Sequence, residues 1–296
     1  MRFGPSAPVG FAPLAAIFAI PHTTSARLTC MNFDAFISRC RLEWPEFADP
    51  ARLARARHPS DRSLESILDF IPGMATENKL KLLNCGVAAL EDDEVYVEVG
   101  CYKGASIVGA ATGNPRARIF ACDNFSQFDG AADALRRTLD THTPPGQVTF
   151  CDMDFRDFMR AARWRPFSIG AYFYDGGHSF RDQYEGVALA LPHLADDALV
   201  IIDDTNKRAA RSANHLIARA IPGFELILNL RTPRNHSPTW WNGVQVFRYR
   251  RSPLDSAVRF PTPGFAIRKF IYDDLLLEMK HRRRARRALR KSRRPK

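Results

Sequence analysis

Acidic residues recur in this chain directly after short apolar runs, and these positions are the ones best able to do chemistry. The first run, residues 95–99, leads into Glu98-Val-Gly100-Cys-Tyr-Lys-Gly104-Ala-Ser106. Glycines where a strand ends let a ligand approach the backbone, and the helix that follows offers free N–H groups. Asp123 follows the second run, residues 118–122, 23 positions after Gly100. A carboxylate about 20 residues beyond such a turn can accept both hydroxyls of a ribose. Asp152 follows the third run, 147–150, and can accept a hydrogen bond from an adenine amino group. Tyr174-Asp175-Gly-Gly-His178-Ser follows the fourth run and Asp203-Asp204 the fifth. Carboxylates gathered in one crevice repel each other, and a hard divalent cation is the natural compensation. Asp175, Asp203 and Asp204 are therefore candidate metal ligands. His178 suits general-base work because a free imidazole titrates near ~6.5. Asp175 is the second candidate catalytic group.

Plainer roles exist for every one of these residues. The glycine turn can be a tight strand-to-helix connection without a ligand, and Asp123 can be a helix N-cap. Asp152, Asp203 and Asp204 can be solvated turn acids, and His178 a structural loop histidine. Lys207, Arg208 and Arg211 can meet an anionic substrate or form a solvated helix face. Trp240-Trp241 can wall a sugar or aromatic acceptor or simply pack.

The elements that must hold these residues alternate along the chain. Residues 95–99, 118–122, 147–150, 169–174 and 198–202 read as strands. Helical stretches at 106–112, 131–139, 155–162 and 180–191 separate them, and 209–220 follows the fifth strand. Repeated strand–helix units predict a parallel sheet with ligands at its C-terminal edge. Strands at 224–230 and 244–249 have no helix between them, which predicts an antiparallel edge strand. The expected fold is α/β: a Rossmann-like, mostly parallel seven-stranded sheet with an N-terminal helical cap. The cap includes helices at 63–70, stopped by Pro72-Gly73, and 76–90, with Thr76 as N-cap. The expected organisation is a leader at 1–30, the cap at 31–92, the sheet domain at 93–252 and an extension at 253–296 that opens with a helix near 266–280.

Of 296 residues, 45% are hydrophobic and 25% charged, enough for a sizeable core. The net charge of +11 is unevenly placed: residues 280–296 hold eleven Lys/Arg and no acid, leaving 32 basic against 32 acidic residues in the body. A neutral body offers no basic groove, so polyanion contact through the tail is expected to be nonspecific and salt-sensitive. The six cysteines lack zinc-site or disulfide spacing, which points to reduced thiols and a cytoplasmic location. The apolar run 11–20 loosely resembles a signal-peptide core but is too short to span a bilayer, and no transmembrane segment is expected.

Taken together, EVGCYKGAS, CDNF, YDGGHSFRDQYEGVALALPHL and ALVIIDD resemble class I S-adenosylmethionine-dependent methyltransferases. The resemblance is to the macrocin O-methyltransferase and "methyltransferase domain 24" type, over residues 70–250. It implies that Glu98, Gly100, Gly104 and Ser106 cradle the methionine and ribose side of S-adenosylmethionine. Asp123 would hold the ribose and Asp152 the adenine. Asp175, Asp203 and Asp204 match positions that bind Mg2+ in metal-dependent members. Gly177 stands where an acidic residue is frequent. The implied acceptor is a small-molecule or glycan hydroxyl, and a homo-oligomer is left open. The rivals are a methyltransferase for RNA or protein recruited by the basic tail, and a non-catalytic cofactor-binding module. A nicotinamide dehydrogenase is disfavoured because G-x-G-x-x-G is incomplete.

Overall fold

The computed structural model describes residues 30–128 and 130–279. The leader and the basic run 280–296 lie outside the described residues. Seven strands form one sheet: β1 (Glu94–Val99), β2 (Ile119–Asp123), β3 (Val148–Asp152), β4 (Ser168–Tyr174), β5 (Leu194–Ile202), β6 (Phe224–Leu230) and β7 (Val244–Arg250). Their spatial order is β3-β2-β1-β4-β5-β7-β6. β1 to β5 pair in parallel, and β7 pairs antiparallel with both β5 and β6. The chain thus makes the expected mostly parallel sheet, with its antiparallel pairing confined to the β7–β6 edge. β7 is inserted ahead of β6, which is the outermost strand.

β1 is buried along its whole length, as a central parallel strand covered on both faces must be. Alternation divides its side chains between two layers. Val95, Val97 and Val99 join Tyr172, Tyr174, Val200 and Ile202 in a core closed by Phe158, Tyr184 and Ile217. Those three come from helices α7 (Phe155–Ala161), α8 (Phe180–Ala188) and α9 (Arg208–Ala220). Tyr96 faces the other layer with Phe173 and Ile201, against Phe36, Leu82 and Ile107. These come from α1 (Phe33–Glu43), α4 (Glu77–Val87) and α5 (Ala105–Ala111). The N-terminal helices are therefore one of the two layers of the sheet.

Two boundaries differ from expectation. Only Ile67–Phe70 of the helix expected at 63–70 forms. Asp61 accepts hydrogen bonds from the Ser63 backbone and hydroxyl, holding the preceding residues in turns that compete with the helix. Thr76 does cap α4, with its side chain accepting from the Lys79 N–H. The helix expected at 266–280 begins as Phe265–Lys269 and passes through a π-helical stretch, Phe270–Leu275. None of the six cysteines is bridged, and no helix among the described residues is long and apolar enough to cross a membrane.

Candidate active site

The register of the parallel strands puts the candidate residues in one row. Val99 is level with Cys122 and Tyr174, Cys122 with Cys151, and Tyr174 with Ile202. One step further along each strand lie Gly100, Asp123, Asp152, Asp175 and Asp203. The ladder continues through them: Gly100 N–H donates to the Cys122 carbonyl at 2.9 Å, Asp175 N–H to Val99 at 2.8 Å and Asp203 N–H to Tyr174 at 3.0 Å. Four of these five positions carry carboxyls, and they share one edge because β1 to β5 run parallel and are joined through helices.

Gly100 has φ +84°, and a Cβ there would lie 2.2 Å from the Asp175 carbonyl oxygen. The need for glycine thus arises within the protein, where β4 leaves the sheet beside β1. Gly104 has φ +91° and starts α5, and a Cβ there would meet Leu135 at 2.8 Å. Glu98 is fully buried and faces the α4–α5 layer. It accepts from the Ser106 hydroxyl at 2.5 Å and the Tyr96 hydroxyl at 2.7 Å. Burial pushes its carboxyl up to about 7, against the pull of those two hydrogen bonds. Asp123 accepts from the backbone N–H groups of Tyr102 and Phe125, both at 2.9 Å, which closes the glycine turn against β2. Carboxylate oxygens hold two acceptor sites each, so Asp123 keeps capacity for ribose hydroxyls. Asp152 is the outlier: its side chain is half exposed at the β3 end and is 3.4 Å from Arg136.

The acidic residues after β4 and β5 sort into two groups. Asp203 is fully buried and ion-paired with Lys79 of α4, itself fully buried. Burial alone would depress the Lys79 ammonium, but Asp203, Asp175 and Asp204 outweigh it and raise it. Dense packing and the neighbouring Asp203 push the Asp175 carboxyl well above the usual carboxylate range. Asp203 Oδ1 is buried without a hydrogen-bond partner among the described residues. Asp204 belongs to the second group. It accepts from His178 Nε2 at 2.9 Å, from Lys207 Nζ at 2.5 Å and from Asn242 Nδ2 at 2.6 Å. Burial opposes its ionisation, yet His178 and Lys207 hold its carboxyl far below the usual range. Its backbone stands at φ +57°, a left-handed conformation for a non-glycine residue.

Asp175, His178 and Asp204 bring one ligand atom each within 4.8 Å of one another. This is not the all-oxygen trio expected from the sequence, because Asp203 is turned onto Lys79. Two carboxylates and an imidazole, with Asp204 already holding three donors, do not fit a magnesium ion. Lys79 and Lys207 supply the compensating positive charge. Lys79 escaped the sequence reading because α4 carries no motif and its partner lies 124 residues away. Of the other candidates, Lys207 joins the site. Arg211 reaches the Thr205 carbonyl behind it. Trp240 is fully buried against Trp44, with its indole N–H on the Leu53 carbonyl, so it packs rather than walls a pocket.

For S-adenosylmethionine the donor set does fit. Asp123 keeps acceptor capacity beside the turn, and Glu98 lies beneath that turn as a buried carboxyl that a cation would ionise.

Known proteins bear on this arrangement. Residues 97–205 match the Methyltransf_24 model, a methyltransferase domain. Similar folds include an O-methyltransferase from Bacillus cereus in complex with SAH, at 16% identity and TM-score 0.51, covering 69% of this chain and 97% of that one. Cofactor-bound Rv0187 from MTB matches at 16% identity and TM-score 0.50, covering 77% and 100%. SAH-bound methyltransferase PaMTH1 from Podospora anserina matches at 13% identity and TM-score 0.50, covering 68% and 93%. No curated protein matches the chain. Residues 97–205 thus match a methyltransferase domain, and the seven-stranded order around them is the fold shared with these solved structures.

Proposed function

We propose that the protein methylates a hydroxyl of a small molecule or glycan with S-adenosylmethionine as donor. The observation that carries the chemistry is the His178–Asp204 pair at the end of the carboxylate row. When bound, S-adenosylmethionine supplies an electrophilic sulfonium methyl group. Glu98, Gly104 and Asp123 would hold it at the β1–β2 end of the row. Asp204, kept ionised by Lys207 and His178, accepts the Nε2–H of His178 and so fixes its tautomer. His178 Nδ1 then carries the lone pair, and it is shielded from solvent with no protein partner among the described residues. That nitrogen takes the proton from the acceptor hydroxyl, which the protein must hold in line with the methyl group. Asp175, whose carboxyl is pushed upward by burial and by Asp203, orients the acceptor hydroxyl.

The named cofactor-bound relatives of like fold support the donor, and the Bacillus cereus relative's O-methylation supports the acceptor class. No step needs a divalent cation. The test is transfer of labelled methyl from S-adenosylmethionine to a panel of catechols, sugar nucleotides, RNA and protein, with and without chelator. Transfer to a hydroxylated small molecule, unchanged by chelator and lost in His178→Asn, supports the proposal. Transfer only to RNA or protein, or no transfer to any acceptor, overturns it.

A further inference from the structure

The C-terminal helical segment is anchored on one side and bare on the other. On the inner side Phe180 of α8 stacks on Tyr272, with ring centroids 5.8 Å apart, and Phe265 packs on Tyr184 at 4.6 Å. Asp273 accepts from the Phe180 and Arg181 N–H groups at 2.7 and 3.0 Å, capping α8 two residues beyond His178. Arg268 reaches the Ser212 hydroxyl at 2.9 Å. On the outer side Ile267, Ile271, Leu275 and Met279 recur every fourth residue and are exposed, Ile267 by 68%. Phe270 and Leu277 beside them are 57% and 47% exposed. With Leu276, a helical segment fixed in place that still presents seven large apolar side chains to water marks an interaction surface. The chain then runs directly into the eleven Lys/Arg and no acids of residues 280–296.

We infer that this segment docks the protein on an anionic lipid surface, the apolar stripe entering the interface and the basic run binding headgroup charge. Apolar residues on a helix lying in the membrane plane add insertion to electrostatic attraction, and Lys and Arg are drawn to the negative surface of an anionic leaflet. Charge selects this occupant over others. A second copy would bring two strongly cationic runs together, and a nucleic acid would leave the Ile, Leu, Phe and Met side chains uncovered. Asp273 anchors the inner side of the segment to the start of α8, two residues beyond His178.

The experiment is co-sedimentation of the full chain with phosphatidylcholine vesicles, with and without phosphatidylserine, at low and high salt. Three variants accompany it: deletion of residues 280–296, Ile271→Ser and Leu275→Ser. Ile271 and Leu275 are exposed, so the two serine variants retain the fold. Binding is expected only to vesicles with phosphatidylserine, weakened but not abolished by salt, and lost on deletion. Each serine substitution should weaken it about tenfold by removing one inserted side chain. Absence of binding overturns the inference. So does binding that the serine variants leave unchanged, the result expected of a tail that meets any polyanion. A solution dimer that the serine variants dissociate overturns it as well.

Discussion

His178 and Asp204 lie 2.9 Å apart, and the base proposed for this pair is tested at His178. His178→Asn should lower kcat by about 10²- to 10⁴-fold, the usual worth of a positioned base, while cofactor affinity stays near that of the parent. A parallel fall in cofactor affinity would instead make His178 part of the binding site. Glu98 supplies a pH test. Its folded carboxyl stands at about 7, above the ordinary value of 4.5, because it is buried. Between those values the folded chain holds the proton more tightly than the unfolded chain, so this group's effect makes stability fall as pH rises through that window. Glu98→Gln removes that loss: its stability relative to the parent should be on the order of 3 kcal/mol better above pH 7 than near pH 4. Denaturant midpoints that shift equally at both pH values would contradict this. The strand-end acids were legible in the sequence because each follows an apolar run that must be a strand. The divided fate of Asp203 and Asp204 was not legible, since the chain turns left-handed at Asp204 just beyond β5 and the partner of Asp203 comes from distant α4.

Helix α4 matters more than its sequence suggests. It supplies Lys79, whose ammonium neutralises Asp203 beneath the crevice. Lys79→Met should cost about 3–5 kcal/mol in urea unfolding, because it strands a buried carboxylate. Adding Asp203→Leu should restore most of that loss, and a double variant no more stable than Lys79→Met would argue that Lys79 acts by packing alone. Asp273→Ala should cost about 0.5–2 kcal/mol as a lost cap and speed amide exchange at the start of α8. Most strand and helix positions were legible from alternation of period and from glycine and proline punctuation. The failure at 63–66 came from Asp61, whose carboxylate builds a local turn that periodicity does not register. The layer formed by α1, α4 and α5 was equally hidden, because their apolar faces show burial but not the surface that covers them.

At the scale of the molecule, charge is segregated: a neutral body is followed by a cationic run. The strand order explains where the chemistry sits. The chain steps outward from β1 to β2 and β3, then returns to lay β4 on the other side of β1, and the crevice opens where the strand order reverses. The parallel order was legible from repeated strand–helix units, whereas the insertion of β7 ahead of β6 was not, because either order buries the same apolar pair. The central claim is that the carboxylate row receives an adenosyl ligand, and calorimetric titration with S-adenosylhomocysteine tests it most directly. A single saturable site is predicted in the parent chain, weakened about 10- to 100-fold in Asp123→Ala by loss of a charged hydrogen-bond acceptor. Absence of binding in the folded parent, or binding that Asp123→Ala leaves untouched, would contradict the account.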